Sequence, residues 1–172
     1  EPDGTTVERP DLIERLIEAN AWVNPTLHVR RAAIRDAEDR KSEGAFSKDE
    51  QLTLDDQYRD LDSRVKAVGT MIDQGVKMVA GSDSPWGHYA PGEFVYEMEM
   101  LTQAGLSNGD ALLSGTAWSA ASIGADGVSG SLEIGRQADV LVAGGDPMQG
   151  MPALWDIRDV FQAGSVVQRQ IK

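Results

Sequence analysis

The sequence of 172 residues predicts an α/β fold. Two short apolar runs, residues 21–27 and 76–80, each follow a helical pattern, and each gives way to a polar, Pro- or Gly-containing turn. Past Gly127 the pattern shifts to short alternating or apolar runs separated by glycines. Helix, strand and polar loop in succession is the rhythm of a βα-barrel, and the tail reads as β structure. One boundary follows, near Ala125, between an α/β part (residues 1–125) and a β part (residues 126–172).

Leu12, Ile13, Leu16 and Ile17 recur at helical spacing behind Pro10, whose missing N–H costs little in a first turn. The run at 21–27 is broken by Pro25 and suits a strand running into a loop. Residues 30–56 are dense in charge, which predicts a solvated helix and loop rather than core. Tyr58, Leu61, Val65, Val68 and Ile72 fall three or four apart, with Gly75 placed as a left-handed cap. The strand at 76–80 leads directly into Gly81-Ser82-Asp83-Ser84-Pro85-Trp86-Gly87, a polar loop. A helix from about Gly92 to Ala104 stops at Gly105, and Ser107 or Asn108 caps the next, which runs through Leu113. Trp118 to Ile123 continues helically. In the tail, Leu132 and Ile134 alternate, Gly135-Arg136 turns, residues 140–142 are apolar and residues 160–167 form a hairpin-like unit.

The formal charge of -12 argues against nucleic acid as a partner, since a polyanion would be repelled. No cysteine is present, which removes disulfides, thiol catalysis and thiolate metal sites. No apolar run approaches the roughly 20 residues a membrane helix needs. The start Glu1-Pro2-Asp3-Gly4 is not a signal peptide, and the missing initial methionine fits a processed, truncated or excised chain. A soluble, cytoplasmic protein with no membrane partner is expected.

Asp83 lies just past the end of a strand in a loop flanked by glycines, where barrel enzymes place catalytic and ligand groups. A carboxylate there can bind a divalent cation and accept a proton, or else cap the helix near Gly92 or stabilise its own turn. Ser84, Trp86 and His88 share the loop and are candidates for substrate binding, although a loop histidine is as readily an ordinary surface residue. His28 occupies the matching position after the earlier strand and either faces the same mouth or is exposed without a role. Trp86, Tyr89, Phe94 and Tyr96 can wall a pocket or form core. Two histidines and no cysteine cannot complete a catalytic zinc site unless carboxylates supply nearly every ligand.

Four ordered segments resemble the C-terminal part of the amidohydrolase superfamily, in its imidazolonepropionase-like and Xaa-Pro dipeptidase-like branch. Asn24-Pro25-Thr26-Leu27 is similar to the end of barrel strand seven, and Val79-Ala80-Gly81-Ser82-Asp83-Ser84 to strand eight with its metal-site aspartate. Gly105-Leu106-Ser107, Asp110-Ala111-Leu112 and Gly115-Thr116-Ala117-Trp118-Ser119-Ala120-Ala121 resemble the helix pair that follows. Gly130-Ser131-Leu132-Glu133-Ile134-Gly135-Arg136-Gln137-Ala138-Asp139-Val140-Leu141-Val142 is similar to the strands that return to a small β-sandwich.

The resemblance implies the last two strands of a (β/α)8 metallo-dependent hydrolase barrel plus C-terminal strands of that sandwich. It implies hydrolysis of amide, peptide or cyclic-amide C–N bonds in the complete enzyme, with a divalent metal, zinc by expectation. Asp83 would be both metal ligand and general base, then general acid. The first-strand His-x-His pair, the bridging lysine or carboxylate, and the histidines of strands five and six have no counterparts here. The chain alone is therefore expected to be incomplete and inactive, with no metal of its own, and to act on a small-molecule or peptide amide only with an N-terminal barrel partner. A self-associating, non-catalytic fragment and an unrelated α+β binding domain are the rival readings.

Overall fold

The computed structural model describes residues 9–44, 46–85 and 89–168. Helix α1 (Pro10–Glu18) opens the described chain, with Pro10 at its start. Strand β1 (Trp22–Val23) pairs in parallel with β2 (Lys77–Met78), in the register Trp22 to Lys77 and Val23 to Met78. The Val79 N–H extends this ladder to the Val23 carbonyl at 2.9 Å. Between the two strands run helices α2 (His28–Ser42) and α3 (Lys48–Asp73), a crossover of the kind parallel strands require. Ser47 caps α3 through a reciprocal capping box with Glu50.

After β2 come α4 (Phe94–Gln103), α5 (Asn108–Ser114), capped by Ser107, and α6 (Ala117–Ser122). The tail folds into a three-stranded antiparallel sheet, β3 (Val140–Ala143), β4 (Ile157–Gln162) and β5 (Ser165–Val166), in the order β3-β4-β5. A two-residue turn at Ala163 and Gly164, both at positive φ, closes the β4–β5 hairpin. Met151 and Leu154, in the 3-10 turn before β4, join the main core with Leu27, Val68, Met78, Met98 and Leu101. The mixture of helix and sheet is the α/β class that the sequence predicts.

Two expectations are corrected. Residues 30–56 are not merely solvated: Ile34, Ala37 and Leu54 are buried together as a second small core between α2 and α3. Their spacing along each helix puts one apolar edge inward while the remaining positions carry the charge. Leu132 and Ile134 do not form a strand, because no strand among the described residues gives them a ladder; both side chains are exposed, Ile134 fully.

Candidate functional site

The ends of β1 and β2 lie side by side, so the turns that follow them meet. Asn24 packs so closely on Gly81 that a Cβ there would fall 1.8 Å from the Asn24 amide nitrogen. The β2 end is tied from the other side, since the Ala80 N–H donates to the Ser114 carbonyl at 3.0 Å and the Ser119 hydroxyl donates to the same carbonyl at 2.5 Å. Thr26 and Asp83, one in each turn, both adopt positive φ, 47° and 49°. Such conformations disfavour β-branched and most non-glycine residues and persist where the surroundings hold them.

Asp83 is exposed, and the N-cap position of α4 is held by Glu93, which makes no side-chain cap bond. It lines a cleft of about 210 Å³ with Pro25, Thr26, Val29, Arg30 and Arg64. Ser84 is half-buried, and its hydroxyl donates to the Tyr89 carbonyl at 3.4 Å, tying the loop to itself. Trp86 and His88 lie outside the described residues.

His28 does not line that cleft and is not on the surface. Its side chain is wholly buried, edge-on to Tyr89 at 4.4 Å and stacked on Tyr96 at 4.8 Å between ring centres. Its Nε2 is 3.2 Å from Glu93, which also accepts from Arg35 at 2.6 Å. Burial pushes the His28 imidazole below its ordinary pKa, against the pull of Glu93. Burial works to raise the Glu93 carboxyl, but bonds from His28 and Arg35 hold it below the usual range. Tyr89 and Tyr96 are thus packing partners of His28, and burial drives the Tyr89 phenol upward.

Glu97, which nothing in the sequence singles out, is completely buried and accepts the backbone N–H groups of Leu27 and His28 at 2.9 and 2.6 Å. Desolvation pushes its carboxyl up to about 7, although those two bonds favour the charged form. A carboxylate at this point closes the N-terminus of α2 and fixes the turn that carries Thr26. Arg30, in the first turn of α2, and Arg64, on α3, also line the cleft, and nothing in the sequence singles them out.

The amidohydrolase family model matches residues 2–171. The chain belongs to the amidohydrolase family. Solved structures similar to this amidohydrolase include a Xaa-Pro dipeptidase with bound methionine in its active site, at 19% identity and TM-score 0.73 over 92% of this chain and 37% of that one. A prolidase complexed with N-methylphosphonate-L-proline matches at 21% identity and TM-score 0.71, over 95% and 39% of the two chains. Molinate hydrolase matches at 22% identity and TM-score 0.68, over 95% and 36%. This amidohydrolase chain therefore spans less than two fifths of the length of each. No curated protein matches its sequence.

Among the described residues, no three His, Asp or Glu side chains gather in a way that would hold a metal ion. Asp83 offers one carboxylate at the cleft, and His28 is turned away into the core. The described residues therefore do not by themselves fit a catalytic divalent cation, which takes three or more protein ligands. No helix among them is long and apolar enough to cross a membrane.

Proposed function

We propose that this chain is the part of a (β/α)8-barrel hydrolase that carries strands seven and eight, β1 and β2 here, together with strands of a β-sandwich from residue 126 onward. The whole enzyme hydrolyses amide, peptide or cyclic-amide C–N bonds with a divalent metal, zinc by preference. Asp83 is this chain's contribution to the metal and to proton transfer; Ser84, Trp86 and His88 are its contributions to substrate binding, and His28 acts at most from behind the β1 turn. The observation that carries the reading is the exposed Asp83, at positive φ, just beyond the end of a strand paired in parallel with β1.

One carboxylate implies that the remaining ligands come from elsewhere in the barrel, on an N-terminal portion that completes the site. The second reading, a non-catalytic self-associating fragment, is favoured by the exposed Leu132, Ile134 and Val166.

Native mass spectrometry with metal analysis separates the two readings. A zinc-bearing assembly with a second chain that cleaves dipeptides, and loses at least about a thousandfold in kcat as Asp83→Asn, supports the first reading. Full turnover by Asp83→Asn at normal metal loading removes Asp83 from the chemistry, and a metal-free homo-oligomer without turnover selects the second reading.

A further inference from the structure

Asp83 is joined to α4 by a loop whose hold on the core runs through one side chain. Among the described residues 81–93, only Tyr89 is buried, at 2% exposure. Its carbonyl accepts from the Ser84 hydroxyl at 3.4 Å, next to Asp83, and its ring stands edge-on to the His28 imidazole at 4.4 Å. A second tie ends on the same imidazole: the Glu93 Oε2 atom accepts the Ala90 N–H at 3.3 Å and lies 3.2 Å from the His28 Nε2 atom. The Arg35 guanidinium donates to the other Glu93 oxygen at 2.6 Å, so the carboxylate is fixed from α2 as well. His28 is held in turn by its backbone, whose N–H donates to Glu97, and it follows Thr26 by two residues. One imidazole therefore joins the two turns, the β1 turn through its backbone and the Asp83 loop through its ring.

Because Nε2 faces a carboxylate, it carries the ring proton, and Nδ1 is left as a bare lone pair. Nδ1 is buried and has no hydrogen-bond partner among the described residues. A second proton, which would have to go on Nδ1, finds no acceptor there. The groups that face the ring are Tyr89 from the loop, Arg31 and Arg35 from α2, and Glu93, Tyr96 and Glu97 from α4.

We propose that His28 is a positioning residue for Asp83: its ring fastens the loop between β2 and α4, through Glu93 and Tyr89, and so sets where the Asp83 turn stands beside the β1 turn. This rests on the function proposed above and adds to it a residue that touches no substrate. The fastening is released by acid. Burial holds the imidazole below its ordinary value of 6.5. A released loop returns the ring to solvent and to that ordinary value, so each pH unit from 6.5 down to the lowered value favours release about tenfold. Above 6.5 the ring is neutral in both states, and the hold does not depend on its protonation. Glu97 also titrates in this range; raised to about 7, it works in the opposite sense, because it binds its proton more tightly when buried.

Amide hydrogen exchange of the intact chain, followed by NMR, tests this independently of turnover. The reporter is the Ala90 N–H, its rate taken relative to the unfolded chain at the same pH, and the control is the Val79 N–H, which donates to the Val23 carbonyl in the β1–β2 ladder. His28→Phe keeps an aromatic ring against Tyr89 and Tyr96 but removes the donor to Glu93. It should cut Ala90 protection at pH 7.5 at least about tenfold and shift the Asp83 amide resonance, with Val79 protection unchanged. His28→Gln, whose amide can still donate to Glu93 but takes no charge, should recover most of that loss. From pH 7.5 to pH 5 the parent should lose about three- to thirtyfold in Ala90 protection relative to His28→Gln, which carries the same Glu97. Equal loosening of Ala90 and Val79 in His28→Phe would reduce His28 to a part of the core and overturn the proposal. So would Ala90 protection that follows pH alike in the parent and His28→Gln. Full turnover by Asp83→Asn would remove the catalytic reading and leave the loop contact standing, whereas Ala90 protection unmoved by His28→Phe would remove only this inference.

Discussion

The Glu97 carboxylate accepts the His28 backbone N–H at 2.6 Å across 69 residues of sequence, joining the interior of α4 to the first turn of α2. Because the same carboxylate also accepts from Leu27, the β1 turn is held by a group that has no contact with solvent.

That burial makes a pH prediction. Burial pushes the folded Glu97 carboxyl up from its ordinary value of 4.5 to about 7, which corresponds to about 3 kcal/mol. A raised carboxyl binds its proton more tightly in the folded chain, so stability declines as pH rises from 4.5 to 7 and is flat above. His28, lowered by burial, acts in the opposite sense below pH 6.5, and Tyr89, Glu93, Arg31 and Arg35 surround the pair. Glu97→Gln removes only the Glu97 contribution. Denaturant unfolding at pH 5 and pH 8 should show the decline in the parent and a slope shifted toward higher stability with pH in the variant. The variant should also lose about 1–3 kcal/mol at pH 5, because an amide nitrogen then faces one backbone N–H. Parallel pH profiles for the two proteins would contradict the assignment.

The crossing of α3 and α4 supplies a second prediction. A Cβ on Gly69 would lie 2.8 Å from the Ala104 carbonyl oxygen, a backbone atom that cannot swing away. Gly69→Ala should therefore cost about 1–2 kcal/mol, the strain of overpacking less the roughly 1 kcal/mol gained in helix propensity. Gly127→Ala, whose Cβ would meet open space, is the control and should leave the thermal midpoint unchanged. A Gly69→Ala midpoint equal to the control's would show that the helices can separate at no cost.

How much of this was readable beforehand depends on the distance over which each feature is determined. The turn at Asp83 was legible because an apolar run, Gly81 and Pro85 mark it within ten residues. The hairpin after β4 was legible for the same reason. Glu97 was not: it lies on the apolar stripe of α4 with Phe94 and Leu101, and its partners are about 70 residues away. A charged residue on an otherwise buried stripe was the available sign. Residues 30–56 misled because the average charge of the segment hides Ile34, Ala37 and Leu54, which matter singly. The sequence places His28 at the mouth or on the surface, and the structure buries it, because position after a strand does not fix which way a side chain turns.

The capping box at the start of α3 gives a third prediction. The Ser47 hydroxyl accepts the Glu50 N–H at 3.2 Å, and Glu50 in return accepts the Ser47 N–H at 2.8 Å. Ser47→Ala should cost about 1 kcal/mol, read as a shift in the denaturant midpoint with an unchanged slope, while Ser47→Asp should recover most of it. Equal loss in both variants would mean that the cap does not set the end of α3.

The last prediction concerns association. Leu132 is 82% exposed and Ile134 fully so, in a segment without a ladder partner among the described residues, while β5 exposes Val166 at the sheet edge. Exposed apolar side chains and an open sheet edge each favour contact with another chain, whether a barrel partner or a second copy. Neither Leu132 nor Ile134 supports the core, so replacing both, Leu132→Lys with Ile134→Glu, should leave the thermal midpoint within about 1 kcal/mol of the parent. The same double variant should shift the sedimentation profile toward monomer if this segment is the interface. An unchanged oligomer with these two charges in place would move the interface to β5, where Val166→Lys repeats the test on the remaining edge.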